Sequence, residues 1–120
     1  MILKNKISII LCCFDSAKRL RKCLEHLAAQ SGLNANNAEL IFVDNASTDD
    51  SALKASAIWS DLGALFPIKV VYEARQGLAF ARAAGVLASV HPLGIFCDDD
   101  NWLPETYALQ VAELFGMHRD

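Results

Sequence analysis

Three consecutive carboxylates, Asp98, Asp99 and Asp100, follow directly on the apolar run 94–97. Like charges this close repel one another unless a cation joins them. An all-oxygen donor set suits Mg2+ or Mn2+, and those ions in turn hold phosphate groups. The plainer alternative is a solvated acidic loop that caps a helix opening near Pro104.

Similar chemistry recurs along the chain. Asp15 follows the apolar run Ile7–Cys13, Asp44 and Asn45 follow 39–43, and Glu73 and Arg75 follow Ile68–Tyr72. Asp44 is an acceptor suited to a base N–H or to sugar hydroxyls, and beside Asn45 it is equally a good turn former. Asp49 is expected to cap the helix after it. Arg82 falls in the first half of a helix expected from Gly77, where a guanidinium can meet a phosphate or a carboxylate. A long surface side chain lying along the helix gives the same sequence signal. Gly77 permits a tight backbone turn ahead of that helix.

The elements that must position these groups are legible as alternating patterns. Strands are expected at Ile7–Cys13, 39–43, Ile68–Tyr72 and 94–97. Helices are expected at 17–30, 51–62, 77–89 and 104–115. In the first helix, Leu20, Cys23, Leu24, Leu27 and Ala28 follow the i, i+3, i+4, i+7, i+8 rule, with Ser16 or Asp15 as its cap and Ser31-Gly32 as its end. Pro104 suits the first turn of the last helix. The order β-α-β-α-β-α-β-α predicts an α/β, Rossmann-like, mainly parallel sheet with helices on both faces. Strands this uniformly apolar predict cover on both sides. Ligands of such sheets bind beyond the carboxyl ends of the strands, and each run here delivers acidic or amide groups to that edge. The agreement predicts a ligand crevice there.

Composition excludes several other classes. The 120 residues suffice for one domain, 1–120, and 53% apolar with 21% charged residues describe an ordinary globular chain. The net charge of −3 gives no electrostatic case for nucleic acid or an anionic membrane. No run reaches membrane-spanning length. The stretch 7–14 after Lys4 and Lys6 is too short for a signal peptide and reads better as a first strand. Cys12, Cys13, Cys23 and Cys97 have no metal-ligand spacing. They are expected as buried, reduced thiols in a reducing compartment, the cytoplasm.

Taken together, the segments 7–15, 43–51, 77–82 and 96–100 resemble, in order and spacing, the nucleotide-binding half of a family 2 glycosyltransferase of the GT-A fold. That resemblance implies specific roles. Cys13, Phe14 and Asp15 match the segment that contacts the nucleotide base, and Asp44 the acid that holds the base or its ribose. Arg82 matches the Arg near the nucleotide. Asp98 and Asp100 match the two acids of an Asp-x-Asp motif that hold a divalent metal, Mn2+ or Mg2+, with Asp98 also reaching the ribose. Asp99 takes the variable middle position. The implied donor is a nucleotide-diphosphate sugar and the acceptor a saccharide or lipid-linked hydroxyl. The implied reaction is inverting hexosyl transfer, in polysaccharide biosynthesis at the inner face of the membrane. Cys12, Asp15 and Ala83 stand where the family often has Pro, Asn and Asn. Family members continue into a segment that carries the catalytic base, whereas Glu105 and Glu113 read as solvated helix residues. The chain is therefore expected to be a truncated donor half, its base unassigned.

Three other readings are weighed beside this one. A phosphoryl-accepting receiver domain needs its acidic pair after the first strand and its target Asp after the third, where this chain has Glu73. A dinucleotide-binding domain needs a Gly-rich turn after the first strand, where Cys12-Cys13-Phe14-Asp15 stands. A non-catalytic module on the same fold, homodimeric through an exposed apolar surface, fits the same pattern.

Overall fold

The computed structural model describes residues 5–117. Its elements alternate as β1 (Ile7–Cys13), α1 (Leu20–Ala28), β2 (Ala38–Asp44), α2 (Ser51–Asp61), β3 (Ile68–Tyr72), α3 (Leu78–Ala88), β4 (Leu93–Asp98) and α4 (Tyr107–Met117). The four strands form one parallel sheet in the order β3-β2-β1-β4.

Strand alternation divides the interior into two layers. Ile7, Ile9, Leu11 and Cys13 of β1 and Leu40 and Phe42 of β2 pack with Leu20, Leu24 and Leu27 of α1, Ala55 and Trp59 of α2, and Ala108 and Ala112 of α4. On the opposite face, Ile10, Ile41 and Val43 meet Ala81, with Ala84 and Ala88 of α3 beside it. One helix therefore covers one face and three cover the other. The contact with α3 is close enough that a Cβ on Gly85 would fall 2.4 Å from Ile10 Cγ2.

Cover on both sides holds for β1 and β2 but not for the edge strands. On β4, Leu93, Ile95 and Cys97 are buried while Gly94, Phe96 and Asp98 are exposed. On β3, Val70 and Tyr72 are exposed. On the α3 face the single helix leaves β4 open, whereas Val70 and Tyr72, in register with Phe42 and Asp44, are open on the other face at the β3 edge.

Helix starts also depart from expectation. α1 begins at Leu20 rather than at residue 17, and neither Asp15 nor Ser16 caps it. Both side chains bond to distant loops instead. α4 begins at Tyr107, which leaves Pro104 and Glu105 in the preceding loop, where the Glu105 carbonyl accepts the Ser31 N–H at 2.7 Å. α2 has Asp50 as its cap residue, with no side-chain cap bond, while Asp49 accepts the Ser51 N–H at 3.0 Å. All four cysteines are free thiols; Cys13, Cys23 and Cys97 are buried, whereas Cys12 is half-buried.

Candidate functional site

The register fixes where the acidic groups fall. Cys13 of β1 lies opposite Asp44 of β2, and Cys12 lies opposite Asp98 of β4. Asp44 and Asp98 thus stand at the same edge of the sheet with only β1 between them, roughly 10 Å apart by strand spacing. Asp44 shares the face of Cys13 and Asp98 that of Cys12, and between them opens a cavity of about 310 Å³ lined by Cys12, Cys13, Phe14, Asn45, Gln76, Gly77, Leu78 and Ala81 but by neither acid. Phe14 presents an exposed ring there.

Arg82 of α3 approaches from the same side. Its guanidinium lies over the Phe96 ring at 5.0 Å, a cation–π contact on the uncovered face of β4 that also carries Asp98. Burial pushes the Cys12 thiol up to about 11, with the Arg82 charge opposing that rise and the Asp98 charge adding to it. Arg82 and Asp98 thus act with opposite sign on the same thiol.

A buried amide builds the cavity wall. Asn45 Nδ2 donates to the Glu73 carbonyl at 3.0 Å and to the Arg75 carbonyl at 2.8 Å, while its Oδ1 accepts the Gly77 N–H at 3.0 Å. One side chain thereby ties the end of β2 to the whole turn into α3. Gly77 has φ +137°, a backbone state closed to L side chains, so the tight turn expected there is real. Arg75 closes the outer side, paired with Glu73 at 3.0 Å and stacked over Phe80 at 4.6 Å. That guanidinium holds the Glu73 carboxyl below its usual range.

Asp15 turns elsewhere. It adopts φ 48°, a left-handed state that a short acidic side chain tolerates by bonding locally. Its carboxylate accepts the Thr48 N–H at 2.6 Å and the Thr48 hydroxyl at 2.9 Å. Its own N–H donates to Ser47 Oγ at 3.0 Å. The result is a staple between the loops after β1 and β2. Asp49 adds to it by accepting the Ala17 N–H at 3.3 Å and the Ser51 hydroxyl, and the Ser51 bond holds the Asp49 carboxyl below its usual range.

The three acids after β4 separate. Residues 98–101 form a turn closed by the Asn101 N–H on the Asp98 carbonyl at 3.1 Å. Asp99 folds back to α1, where it accepts the Ser16 hydroxyl and Arg19 Nη2, the latter at 2.9 Å. Asp100 borders a shallow groove with Lys18, Arg19, Lys22 and Trp102, on the α1 side of the sheet. Neither the Asp98 nor the Asp100 carboxylate receives a hydrogen bond or ion pair from any described residue. No set of three or more His, Cys, Asp or Glu side chains among the described residues converges on one point. Two open carboxylates fit a hard cation that takes its remaining ligands from phosphate and water, as Mg2+ does, rather than an all-protein cage.

Compared with known proteins, the chain matches the model of Glycosyl transferase family 2 over residues 8–120. It belongs to that family. EpsH of Bacillus subtilis is 28% identical over 114 residues, which is 95% of this chain and 31% of EpsH. GlyA of Streptococcus pneumoniae, a glycosyltransferase, is 27% identical over 89% of this chain and 14% of its own length. The chain thus spans less than a third of these two family relatives. Among solved structures, the S. aureus TarS 1–349 complex with UDP superposes with a TM-score of 0.79 at 22% identity, over 94% of this chain and 33% of TarS 1–349. PcManGT of Pyrobaculum calidifontis, a mannosyltransferase in complex with GDP-Man and Mn2+, gives 0.81 at 20% identity, over 97% of this chain and 33% of that one. These likenesses establish the GT-A fold expected of family 2.

Of the residues expected from sequence, Cys13 and Phe14 line the cavity, Asp44 and Asp98 end the strands on either side of β1 without lining it, and Arg82 lies over Phe96 on the face that carries Asp98. Asp15 joins the loop staple and Asp100 faces the α1 side. The loop-building role of Asn45 and the anchorage of Asp99 were missed. Their partners lie 28 to 83 residues away in sequence, beyond any local pattern. The one signal in reach was an amide directly after a strand-ending acid.

Proposed function

We propose that this chain is the donor-binding part of a glycosyltransferase that takes a nucleotide-diphosphate sugar at the carboxyl edge of its sheet. The observation that carries this is the pair of exposed, unpartnered carboxylates Asp98 and Asp100 on the turn that follows β4 at the carboxyl edge of a family 2 domain. The base enters the cavity against Cys13 and Phe14, where an exposed aromatic ring offers a stacking face. Asp44 and Asp98, as strand-end acceptors, take the ribose hydroxyls or a base N–H. Arg82 balances the charge of the diphosphate from the face it shares with Asp98.

Asp98 and Asp100 would hold a divalent cation, Mn2+ or Mg2+, which when bound offsets the negative charge that builds on the leaving diphosphate. The sheet fixes where the turn starts, so the carboxylates are oriented before the donor arrives. Asp15 and Asp49 serve this site indirectly, by locking the two loops that frame the cavity. In the whole protein the hexosyl group passes with inversion to a saccharide or lipid-linked hydroxyl, at the cytoplasmic face of the membrane. No helix among the described residues is long and apolar enough to cross that membrane.

Titration of UDP, GDP and dTDP with and without Mn2+ tests the reading. Binding of one diphosphate that strengthens with Mn2+ and is lost in Asp100→Ala is expected. Equal binding with and without metal in the unaltered chain would refute it.

A further inference from the structure

Asp99 is the most firmly held of the three acids, although it occupies the position that the motif leaves variable. Its side chain is 17% exposed and accepts from both Ser16 and Arg19 on one oxygen, Oδ2. Ser16 is itself fully buried. Its N–H donates to Ser51 Oγ at 3.0 Å, and its carbonyl accepts the Arg19 N–H at 2.8 Å. The Ser16 hydroxyl therefore belongs to a fixed frame made of the loops after β1 and β2. From beneath, the Cys97 and Cys23 thiols donate to the Asp98 carbonyl at 3.4 and 3.8 Å. Among the described residues, the turn 98–101 is pinned at its base by strand and thiols and at its corner by the Asp99 side chain.

We propose that Asp99 is a positioning residue, whose anchorage to Ser16 and Arg19 sets the direction in which Asp98 and Asp100 present their carboxylates to the donor. This deepens the proposed function and rests on it for the effect on the donor. The physical reason is that a two-residue corner has few contacts of its own. A carboxylate tied to a buried hydroxyl removes the rotation that would otherwise carry Asp100 away from Asp98. Partners that orient metal ligands typically change metal affinity by about 10-fold to 100-fold when removed.

The test uses the whole chain, with Mn2+ and UDP or GDP as probes. Asp99→Ala should fold, because the Ser16 hydroxyl retains the Phe14 carbonyl at 3.3 Å as an acceptor. It should weaken Mn2+-supported diphosphate binding about tenfold and metal-free nucleotide binding less, since without metal only the Asp98 contact to the nucleoside is disturbed. Asp99→Asn keeps an acceptor for both donors and should recover most of the loss. Arg19→Met separates this role from direct ligation. An anchored Asp99 predicts weaker Mn2+ binding, whereas an Asp99 that ligates the metal predicts tighter binding once freed from Arg19. Unchanged or tighter Mn2+ binding in Arg19→Met would overturn the proposal.

Amide exchange at Asn101, donor to the Asp98 carbonyl, gives a second readout that needs no metal. It should speed up in Asp99→Ala and Arg19→Met, and an unchanged rate in both would overturn the anchorage. If the unaltered chain and Asp100→Ala bind diphosphate alike with and without Mn2+, the donor reading fails, and faster exchange at Asn101 would still support the anchored turn.

Discussion

Replacing Asn45 should damage this domain more than any other single polar change at the carboxyl edge. Its amide is buried and makes three hydrogen bonds of 2.8 to 3.0 Å, all to main-chain groups of the turn before α3. Alanine deletes all three and leaves two carbonyls and one N–H to find water. At about 1 kcal/mol for each bond, Asn45→Ala loses about 3 kcal/mol. A domain of this size gains only about 5–15 kcal/mol on folding, so the fraction is large. Thermal unfolding followed by far-ultraviolet circular dichroism should show a fall in Tm of about 12 °C. Asn45→Asp sharpens the test. It keeps the acceptor for the Gly77 N–H but turns a carboxylate oxygen towards the Glu73 and Arg75 carbonyls. At pH 7 it should be at least as harmful as alanine, although it is nearly isosteric. Because Gln76, Gly77 and Leu78 line the cavity, both variants should also weaken metal-free nucleotide binding. A Tm within about 3 °C of the unaltered protein for both variants would refute the assignment of that turn to Asn45.

Gly85→Ala places a methyl 2.4 Å from Ile10 Cγ2 and 3.2 Å from Val43 Cγ2, in the middle of the sheet where neither can retreat, and should lose about 1–3 kcal/mol in urea unfolding. Glu39 gives a pH-dependent case. Burial raises its pKa, but the Ser8 hydroxyl, the Val90 N–H and Lys69 outweigh burial and hold it below the usual range. A lowered folded pKa adds stability that is present above the ordinary Glu value near about 4.3 and is lost as pH falls through the folded value. Glu39→Gln should therefore be destabilised at pH 7, with the gap to the unaltered protein closing in acid denaturation below about pH 4.

The fold was legible because its signals are local. Each strand is a short apolar run, and α1 carries its buried positions at helical spacing, so the alternation could be read without knowing what touches what. The first errors come where tertiary bonds compete with local ones. Ser16 has the composition of a helix cap, yet its N–H and hydroxyl are taken by Ser51 and Asp99, and the helix starts four residues later. Phe96 on the α3 face and Val70 on the opposite face read as core residues and are exposed, because cover at the sheet's edges depends on where helices pack, and a strand's own sequence does not record that. At the site, placement at the carboxyl edge follows from topology alone. What each carboxylate does once there depends on donors drawn from other loops.

That distribution of donors is itself an argument about the site. Asp15, Asp49 and Asp99 each accept two or more hydrogen bonds from neighbouring loops. Asp98 and Asp100 accept none from the described residues, although they flank Asp99 on the same turn. Solvation alone would treat three adjacent acids alike, and the fold does not. It pairs the middle acid from within and leaves its two neighbours without a direct partner, Asp98 at the end of β4 and Asp100 in the groove that Lys18, Arg19 and Lys22 also line. Nearby Arg82 stays engaged with the Phe96 ring, beside Asp98 but without an ion pair to it, so a diphosphate arriving with its cation would meet a positive group and two acceptors already in place. Arg82→Ala would then weaken diphosphate binding both with and without Mn2+, whereas Asp100→Ala would remove only the part that the metal supplies.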